Sequence, residues 1–353
     1  MSNLSYYGWT DNLLREKEAS NFNDLPHGRV TVSHKTRYEV VGEEGFFSCE
    51  LTGNMLYGRD SSEYPCTDDW VMFQPVDANK GLIMDVLPRQ KTLFRLKSGT
   101  VSEKQAIAAH VDKAFIVQSL DDNFNVRRIE RFMLQMVGER IQPALVLTKS
   151  DLEYDREVVE TALRHLSAKM PVFYTSIHES DSIEALRAFI QAEETVVFAG
   201  SSGVGKSTLI NALCRKEVFK TATISASTGK GRHTSTRREM VLMQGGGILI
   251  DTPGIKVFGV TNDDSEYLNE VMDFSRFVGK CRFNNCQHIH EEGCAIIEAV
   301  ERGEIDPGVY ENYLKLRKEA WHFTASVHEK RKREKSFARM VKEVNSTLTD
   351  LSL

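Results

Sequence analysis

Short runs in which apolar and polar residues alternate occupy the first third of the chain: RVTV, RYEVV, FFSCEL, DWVMFQPV and GLIMDVL, separated by Gly, Asp, Asn and Pro. Alternation at period two puts one side of a strand in a core and the other in water. Residues 28–97 are therefore expected to form a small all-β barrel of about five strands, of the OB or SH3-like kind. At the same period Arg89, Lys91, Arg95 and Lys97 share one strand face, and Phe94 and Leu96 the other. Such a face suits a nucleic-acid backbone, and a merely solvated barrel wall gives the same pattern. Residues 1–27 form an N-terminal extension outside the alternation.

Between 98 and 261 the pattern changes. AFIVQSL, PALVLT, PVFYTS, TVVFAG and GILIDT are continuous apolar runs, of the type buried on both faces of a parallel sheet. Helical periods separate them. NVRRIERFMLQMV places Val126, Ile129, Phe132, Met133, Met136 and Val137 on one stripe, and further helices are expected at about 155–168, 182–190 and 206–213. Residues 262–353 read as polar helices around a Cys/His cluster, followed by a basic helical tail. The chain is thus a multidomain α/β protein.

The α/β segment carries the first chemistry. Gly200, Ser201, Ser202, Gly203, Val204, Gly205, Lys206, Ser207 and Thr208 fit the spacing G-x-x-x-x-G-K-[ST], entered from the strand TVVFA and left through the helix STLINAL. In that context backbone N–H groups converge on nucleotide phosphates and the helix N-terminus adds a favourable dipole. Lys206 is expected on the β/γ-phosphates and Ser207 on Mg2+. Downstream, DTPG follows the strand GILI, so Asp251 is expected to hold Mg2+ through water and the Gly254 N–H to sense the γ-phosphate.

Between these motifs lies GKGRHTSTRRE (229–239), polar and glycine-bearing as a nucleotide-ordered switch would be. Thr234 is the first choice for a Mg2+-sensing threonine, and Thr236 the alternate. Ile255 stands where Ras-like enzymes carry the glutamine that orients water, so hydrolysis by the isolated chain is expected to be slow. His233 is a substitute for that glutamine, or else a simple exposed histidine.

A second loop stands in an unusual place. ALVLTKSDL ends a strand with Thr148, Lys149, Ser150 and Asp151, the pattern of a loop that reads guanine, yet it precedes the phosphate loop. A carboxylate at Asp151 can accept from guanine N1–H and the exocyclic amine, whereas adenine would leave it unpaired. Lys149 is expected to lie along the base plane, and Ser176, in the strand-end TSI, to set backbone N–H groups near the guanine oxygen. Ligand loops of an open α/β sheet all gather at the C-terminal ends of its strands, so a chain cut elsewhere preserves the site. HESDSIEALRAFIQAEE supplies the joint such a rotation needs.

Three of the six cysteines crowd together in CRFNNCQHIHEEGC. Cys281, Cys286, His288 and Cys294 offer three thiolates and an imidazole, a closed tetrahedral set suited to one structural Zn2+; His290 competes for the fourth place. A net charge of -5 argues against a uniformly basic nucleic-acid coat, although RQKTLFRLK (89–97) and EKRKREK (329–335) are local basic stretches. MSNLSYYGWTDNLLREKEAS has no apolar core of signal-peptide length and no later run is long enough to span a bilayer, so a cytoplasmic protein without a membrane partner is expected.

DDWV and VLPR, FNVRRIERFML, LVLTKSDL, FAGSSGVGKSTLIN, GRHTST, LIDTPGI and the Cys/His cluster, in this order, resemble the circularly permuted, ribosome small-subunit-dependent GTPases of the RsgA/YjeQ family. The resemblance runs from Gly28 through almost the whole remaining chain. It implies an N-terminal OB-type β-barrel, a circularly permuted P-loop GTPase domain and a C-terminal α-helical zinc-binding domain. It also implies GTP/GDP with Mg2+ as ligands, and a subunit-stimulated GTPase that binds the small ribosomal subunit and its rRNA in late maturation. A monomer is expected. Thr148 replaces the asparagine of the general GTPase motif, as in other family members, and TDDW lacks the glycine expected before Asp-Trp. Two other classes remain: an RNA-binding assembly protein with a structural nucleotide, and a small-molecule P-loop kinase, which the TKSD loop counts against.

Overall fold

The computed structural model describes residues 3–34, 36–58, 63–96, 104–219, 238–252 and 267–324. They fall into two compact units, Met1–Phe258 with Val271–Asp273, and Gly259–Glu270 with Phe274–Leu353.

The first unit begins with the barrel. Its strands are β1 (His27–Ser33), β2 (Arg37–Gly42), β3 (Gly45–Leu51), β4 (Trp70–Asp77) and β5 (Lys80–Val86). They pair in the order β1-β2-β3-β5-β4, and β4 returns to β1, with β3 and β5 parallel and the other pairs antiparallel. This closed five-strand circuit is the OB arrangement. Alternating strand positions, including Val30, Val40, Phe47, Val71, Phe73 and Ile83, fill its core.

The proposed basic face does not form. Only Leu93–Leu96 is a strand here, β6, and it pairs with β7 (Lys104–Ala108) outside the barrel. Arg89 instead turns inward onto Asp69, with Nη2–Oδ2 at 2.8 Å, Lys91 pairs with Asp112, and Arg95 bonds Gln105. Lys97 lies outside the described residues. Ion pairs with Asp69 and Asp112 fix Arg89 and Lys91, and the Gln105 amide fixes Arg95, better than a shared solvated face does.

The extension also has structure. A short 3-10 turn (Leu4–Tyr7) and helix α1 (Asp11–Ala19) send Leu4 and Leu13 against Trp70, Met72 and Leu87 on the barrel's outside. Thr10 caps α1 through the Leu13 N–H.

The remainder of the first unit is an α/β sheet in the order β10-β9-β8-β11-β13-β12, made of β8 (Lys113–Ser119), β9 (Gln142–Thr148), β10 (Val172–Thr175), β11 (Thr195–Ala199), β12 (Arg238–Leu242) and β13 (Ile248–Asp251). All are parallel except β12. Helices α3 (Val126–Gly138), α4 (Arg156–Ser167), α5 (Ser180–Ala188) and α6 (Lys206–Cys214) connect them, while α2 (Gly53–Gly58) belongs to the barrel's β3–β4 connection. On α3, Ile129, Phe132, Met133 and Met136 of the expected stripe are buried, and Asn125 caps the first turn.

Strand β1 links barrel and sheet. His27, Gly28 and Arg29 pair with β4 and close the barrel, whereas Val32 and Ser33 pair with Glu239 and Arg238 of β12. The change of partner coincides with a register shift between Val30 and Val32. Arg29 sits at this hand-over with 2% of its side chain exposed; its Nη2 lies 2.7 Å from Asp68 Oδ2 and 2.9 Å from Thr195 Oγ1, at the start of β11. Nη1 donates to the Tyr7 carbonyl, and the guanidinium lies 5.4 Å from the Trp70 ring centre. Removing one member of such a buried pair strands the other charge. Arg29→Met is therefore expected to cost about 3–5 kcal/mol in urea unfolding, and the double variant Arg29→Met/Asp68→Leu to recover most of that loss.

Candidate functional site

Because β8, β9, β10, β11 and β13 run parallel, their C-terminal ends lie along one edge of the sheet, with Ser119 opposite Thr148, Thr148 opposite Thr175, and Phe198 opposite Asp251. The sequence separates the motifs; the sheet brings them together.

Gly200 leaves β11 so close to β8 that an added Cβ would stand 2.4 Å from the Val117 carbonyl oxygen, which bars every larger residue. Gly203 and Gly205 then run at φ +84° and +93°, the left-handed region, turning the chain into α6. Val204 between them is buried in the sheet's core, while Ser201, Ser202, Ser207 and Thr208 remain partly accessible. Lys206 opens α6 and folds back, its Nζ 2.9 Å from the carbonyl oxygens of both Gly200 and Ser201. Burial lowers the Lys206 pKa, and the Asp251 charge counters it.

Asp251, at the end of β13, is 1% exposed. Its Oδ2 accepts from Ser207 Oγ at 3.2 Å, and its Oδ1 is buried without a hydrogen-bond partner. Burial raises this carboxyl's pKa, opposed by Lys206 and by hydrogen bonds from Ser207 and the Thr252 amide. A buried carboxylate with an idle oxygen beside a serine hydroxyl is a donor set that fits a hard divalent cation. Gly254, His233, Thr234 and Thr236 lie outside the described residues.

The base-side loop follows β9. Thr148 Oγ1 donates to the Val204 carbonyl at 2.6 Å, tying this loop directly to the phosphate loop. The hydroxyl performs that link without the length of an asparagine side chain. Lys149 adopts φ +60°, and its Nζ lies 2.6 Å from Asp121 Oδ2. The Ser150 hydroxyl is buried and lacks a partner. Asp151 is exposed, and hydrogen bonding from the buried Ser176 holds its carboxyl below the ordinary aspartate range. An ionised acceptor at the mouth of the loop matches what a base presenting two adjacent N–H donors requires.

Sequence reasoning passed over Ser119, Asp121 and Arg128. Ser119 ends β8, Asp121 lies in its connection into α3, and Arg128 stands in the first turn of α3, where its Nη1 reaches Ser201 Oγ at 3.1 Å. The available signal was positional: SLDDNFN is a polar run following a buried strand, at the same edge as the recognised loops.

In the second unit Cys281, Cys286, His288 and Cys294 gather with their ligand atoms all within 4.8 Å of one another. His288 Nδ1 lies 3.4 Å from Cys294 Sγ and 3.5 Å from Cys281 Sγ. His290 is exposed and not in this group. The Tyr310 hydroxyl donates to the His288 carbonyl at 2.7 Å, and Arg317 bonds Gln287, so the helix Pro307–Thr324 braces the loop. The Cys286 thiol is pushed up to about 12, by burial first and then by the neighbouring Cys294 and Cys281 thiols. Three thiols this close favour a bound cation, which would reverse that shift.

A phosphate loop on the central strand, flanked by a base-side loop encoded before it and a carboxylate strand encoded after it, is the organisation of a P-loop GTPase with its sequence circularly permuted. The family model for RsgA GTPase matches residues 86–261, and the small ribosomal subunit biogenesis GTPase RsgA 1 of Bacteroides thetaiotaomicron is 60% identical over 343 residues, 97% of either chain. The chain belongs to the RsgA family of GTPases. A relative of the same description from Oceanobacillus iheyensis is 35% identical, covering 82% of this chain and 84% of its own. Among solved structures, YjeQ from Thermotoga maritima aligns with a TM-score of 0.57 at 27% identity, over 84% of this chain and 98% of its own. YloQ, described as a circularly permuted GTPase, aligns with a TM-score of 0.58 at 24% identity, over 87% and 98%, and speaks to the fold.

Lys206→Ala is expected to weaken triphosphate binding about a hundredfold, the scale of a lost charge-assisted contact, with the circular dichroism spectrum retained. Asp151→Asn replaces one acceptor oxygen by a donor, so the preference for GTP over ATP in competition binding should narrow.

Proposed function

We propose that this protein is a GTPase of small ribosomal subunit assembly, slow by itself and accelerated by the subunit. The observation that carries the reading is the gathering of phosphate loop, base-side loop and Asp251 at one sheet edge. The partner is that of the 60% identical relative, a small ribosomal subunit biogenesis GTPase. Among the described residues no helix is long and apolar enough to cross a membrane, and we place the protein in the cytoplasm as a monomer with the subunit's rRNA as its contact.

In this reading Gly200, Ser201, Ser202, Gly203, Val204 and Gly205 wrap the phosphates with backbone N–H groups, and Lys206 leaves its two carbonyl partners for phosphate oxygens. Ser207, Thr208 and Asp251 line the metal side, Ser207 and Asp251 being the residues that would hold Mg2+. When bound, that ion neutralises charge developing on the phosphate oxygens. Asp151 accepts from the guanine edge, while Lys149 and Ser176 flank the base. Gly254, Thr234 and the alternate Thr236 act on the γ-phosphate side, and His233 positions water in the subunit-stimulated reaction. Cys281, Cys286, His288 and Cys294 would hold one structural Zn2+, a closed set with no position for catalysis.

Two measurements test this. Turnover with purified small subunits should exceed basal turnover, and His233→Ala should cut the stimulated rate by about tenfold or more with little change in nucleotide affinity. Absence of any stimulation would favour an RNA-binding protein with a structural nucleotide. Metal analysis should find one equivalent of zinc; Cys286→Ser should lose it and loosen the second unit while GTP still binds. Full zinc retention in that variant would point to a different ligand set.

A further inference from the structure

The connection between β8 and α3 leaves the sheet between the base-side strand β9 and the phosphate-loop strand β11, and polar groups of this connection and of the first turn of α3 form a chain. Asp121 Oδ2 holds Lys149 Nζ at 2.6 Å. Its other oxygen accepts from Ser119 Oγ at 2.6 Å and from the Asn123 N–H at 3.0 Å. The Asn123 carbonyl accepts from Arg128 Nη1 at 3.3 Å, and that same nitrogen reaches Ser201 Oγ in the phosphate loop at 3.1 Å. Ser201's own carbonyl is one of the two that hold Lys206.

We propose that this connection is a clasp, in which Asp121 is the positioning residue for Lys149 at the guanine base and Arg128 carries the same bracing to the phosphate loop. The inference rests on the reading of Lys149 as a base-side residue. A free lysine side chain has about 2 kcal/mol of rotamer entropy to lose on binding. Pairing with a carboxylate whose other oxygen is already held by Ser119 and the Asn123 amide removes much of that cost before nucleotide arrives. Partial burial pulls the Asp121 carboxyl upward, but hydrogen bonds from Lys149, Ser119 and the Asn123 amide bring it below the usual range, so it is ionised at neutral pH. With Lys149 and Asp121 side chains 27% and 30% exposed, a pair this wet contributes modestly to folding, which leaves orientation as its larger effect. Arg128 in turn ties the Asn123 peptide to Ser201, so that base side and phosphate side share one support.

The test is a double-mutant cycle on the full chain, read as GDP affinity by titration calorimetry. Asp121→Asn keeps the side chain's shape while removing its charge. Asp121→Asn and Lys149→Ala are each expected to weaken GDP binding by about tenfold, and the double variant by little more than Lys149→Ala alone. A role of Asp121 in folding alone would give independent, multiplying losses, and that result overturns the clasp. Arg128→Gln provides a second arm, expected to weaken GDP binding by about threefold and to couple to Asp121→Asn; additive behaviour there also counts against it. If Lys149→Ala leaves GDP affinity unchanged, the base-side reading and the clasp fall together. If only Asp121→Asn leaves it unchanged, the base-side reading stands and the clasp falls.

Discussion

The buried guanidinium of Arg29 is the constraint on which the first unit's arrangement depends. It comes from the barrel's first strand, pairs with Asp68 before β4, donates to the Tyr7 carbonyl of the N-terminal turn, and bonds Thr195 where the phosphate-loop strand begins. A charge taken out of water is tolerable only when its partners are complete and well placed. Four separately encoded pieces must therefore meet at one point, and misdocking any of them leaves a cation in a dry environment. Apolar packing alone tolerates sliding; this cluster does not. The neighbouring Asp69–Arg89 pair, with the carboxylate fully buried, repeats the logic a few residues away.

At the other end of β11 the same strand delivers the phosphate loop. Thr195 is its first residue and Gly200 follows its last, so the polar junction with the barrel and the nucleotide edge are separated by a single short strand. Around that strand the permuted order has a mechanical meaning. The base-side strands β8, β9 and β10 are complete before the chain reaches α5, and the loop from α5 must then cross to the centre of the sheet. Lys113 and Glu194 hold this crossing, with Nζ–Oε2 at 2.5 Å and a second bond from Nζ to the Phe189 carbonyl. The joint is thus secured at the strand ends opposite the site, where it does not obstruct the ligand loops.

Much of this was legible in the sequence because the chemistry demanded rare residues at fixed spacings. The phosphate loop needs glycines where φ is positive or a neighbouring backbone is close, and Gly200, Gly203 and Gly205 meet those demands. Barrel strands alternate because one face is dry, and the α3 stripe appears because one face of the helix is. The rest was hidden, and for physical reasons. Helix α1 buries only Leu13, too little to leave a periodic stripe. Strand β12 was missed because it is antiparallel in a sheet otherwise built of parallel, fully apolar runs, and begins with Arg238 and Glu239. Arg89 reads as a surface cation in the sequence because its ion pair with Asp69, formed across the fold, leaves no trace in local pattern. Asp121 and Arg128 escaped in a related way: the contacts that tie them to the site, with Lys149 and Ser201, are distant in sequence.

The pairing of β1 with β12 also bears on how this molecule behaves in a crowded solution. An open α/β sheet normally presents two raw margins of unpaired N–H and C=O groups, each a template on which another chain can add. Here one margin is consumed by the barrel, whose own circuit is closed, because β12 is flanked by β13 and β1. Among the described residues, the large sheet's remaining α/β margin is β10, four residues long. Fusing a closed barrel to an open sheet therefore acts as a guard against strand-by-strand association, independent of any ligand.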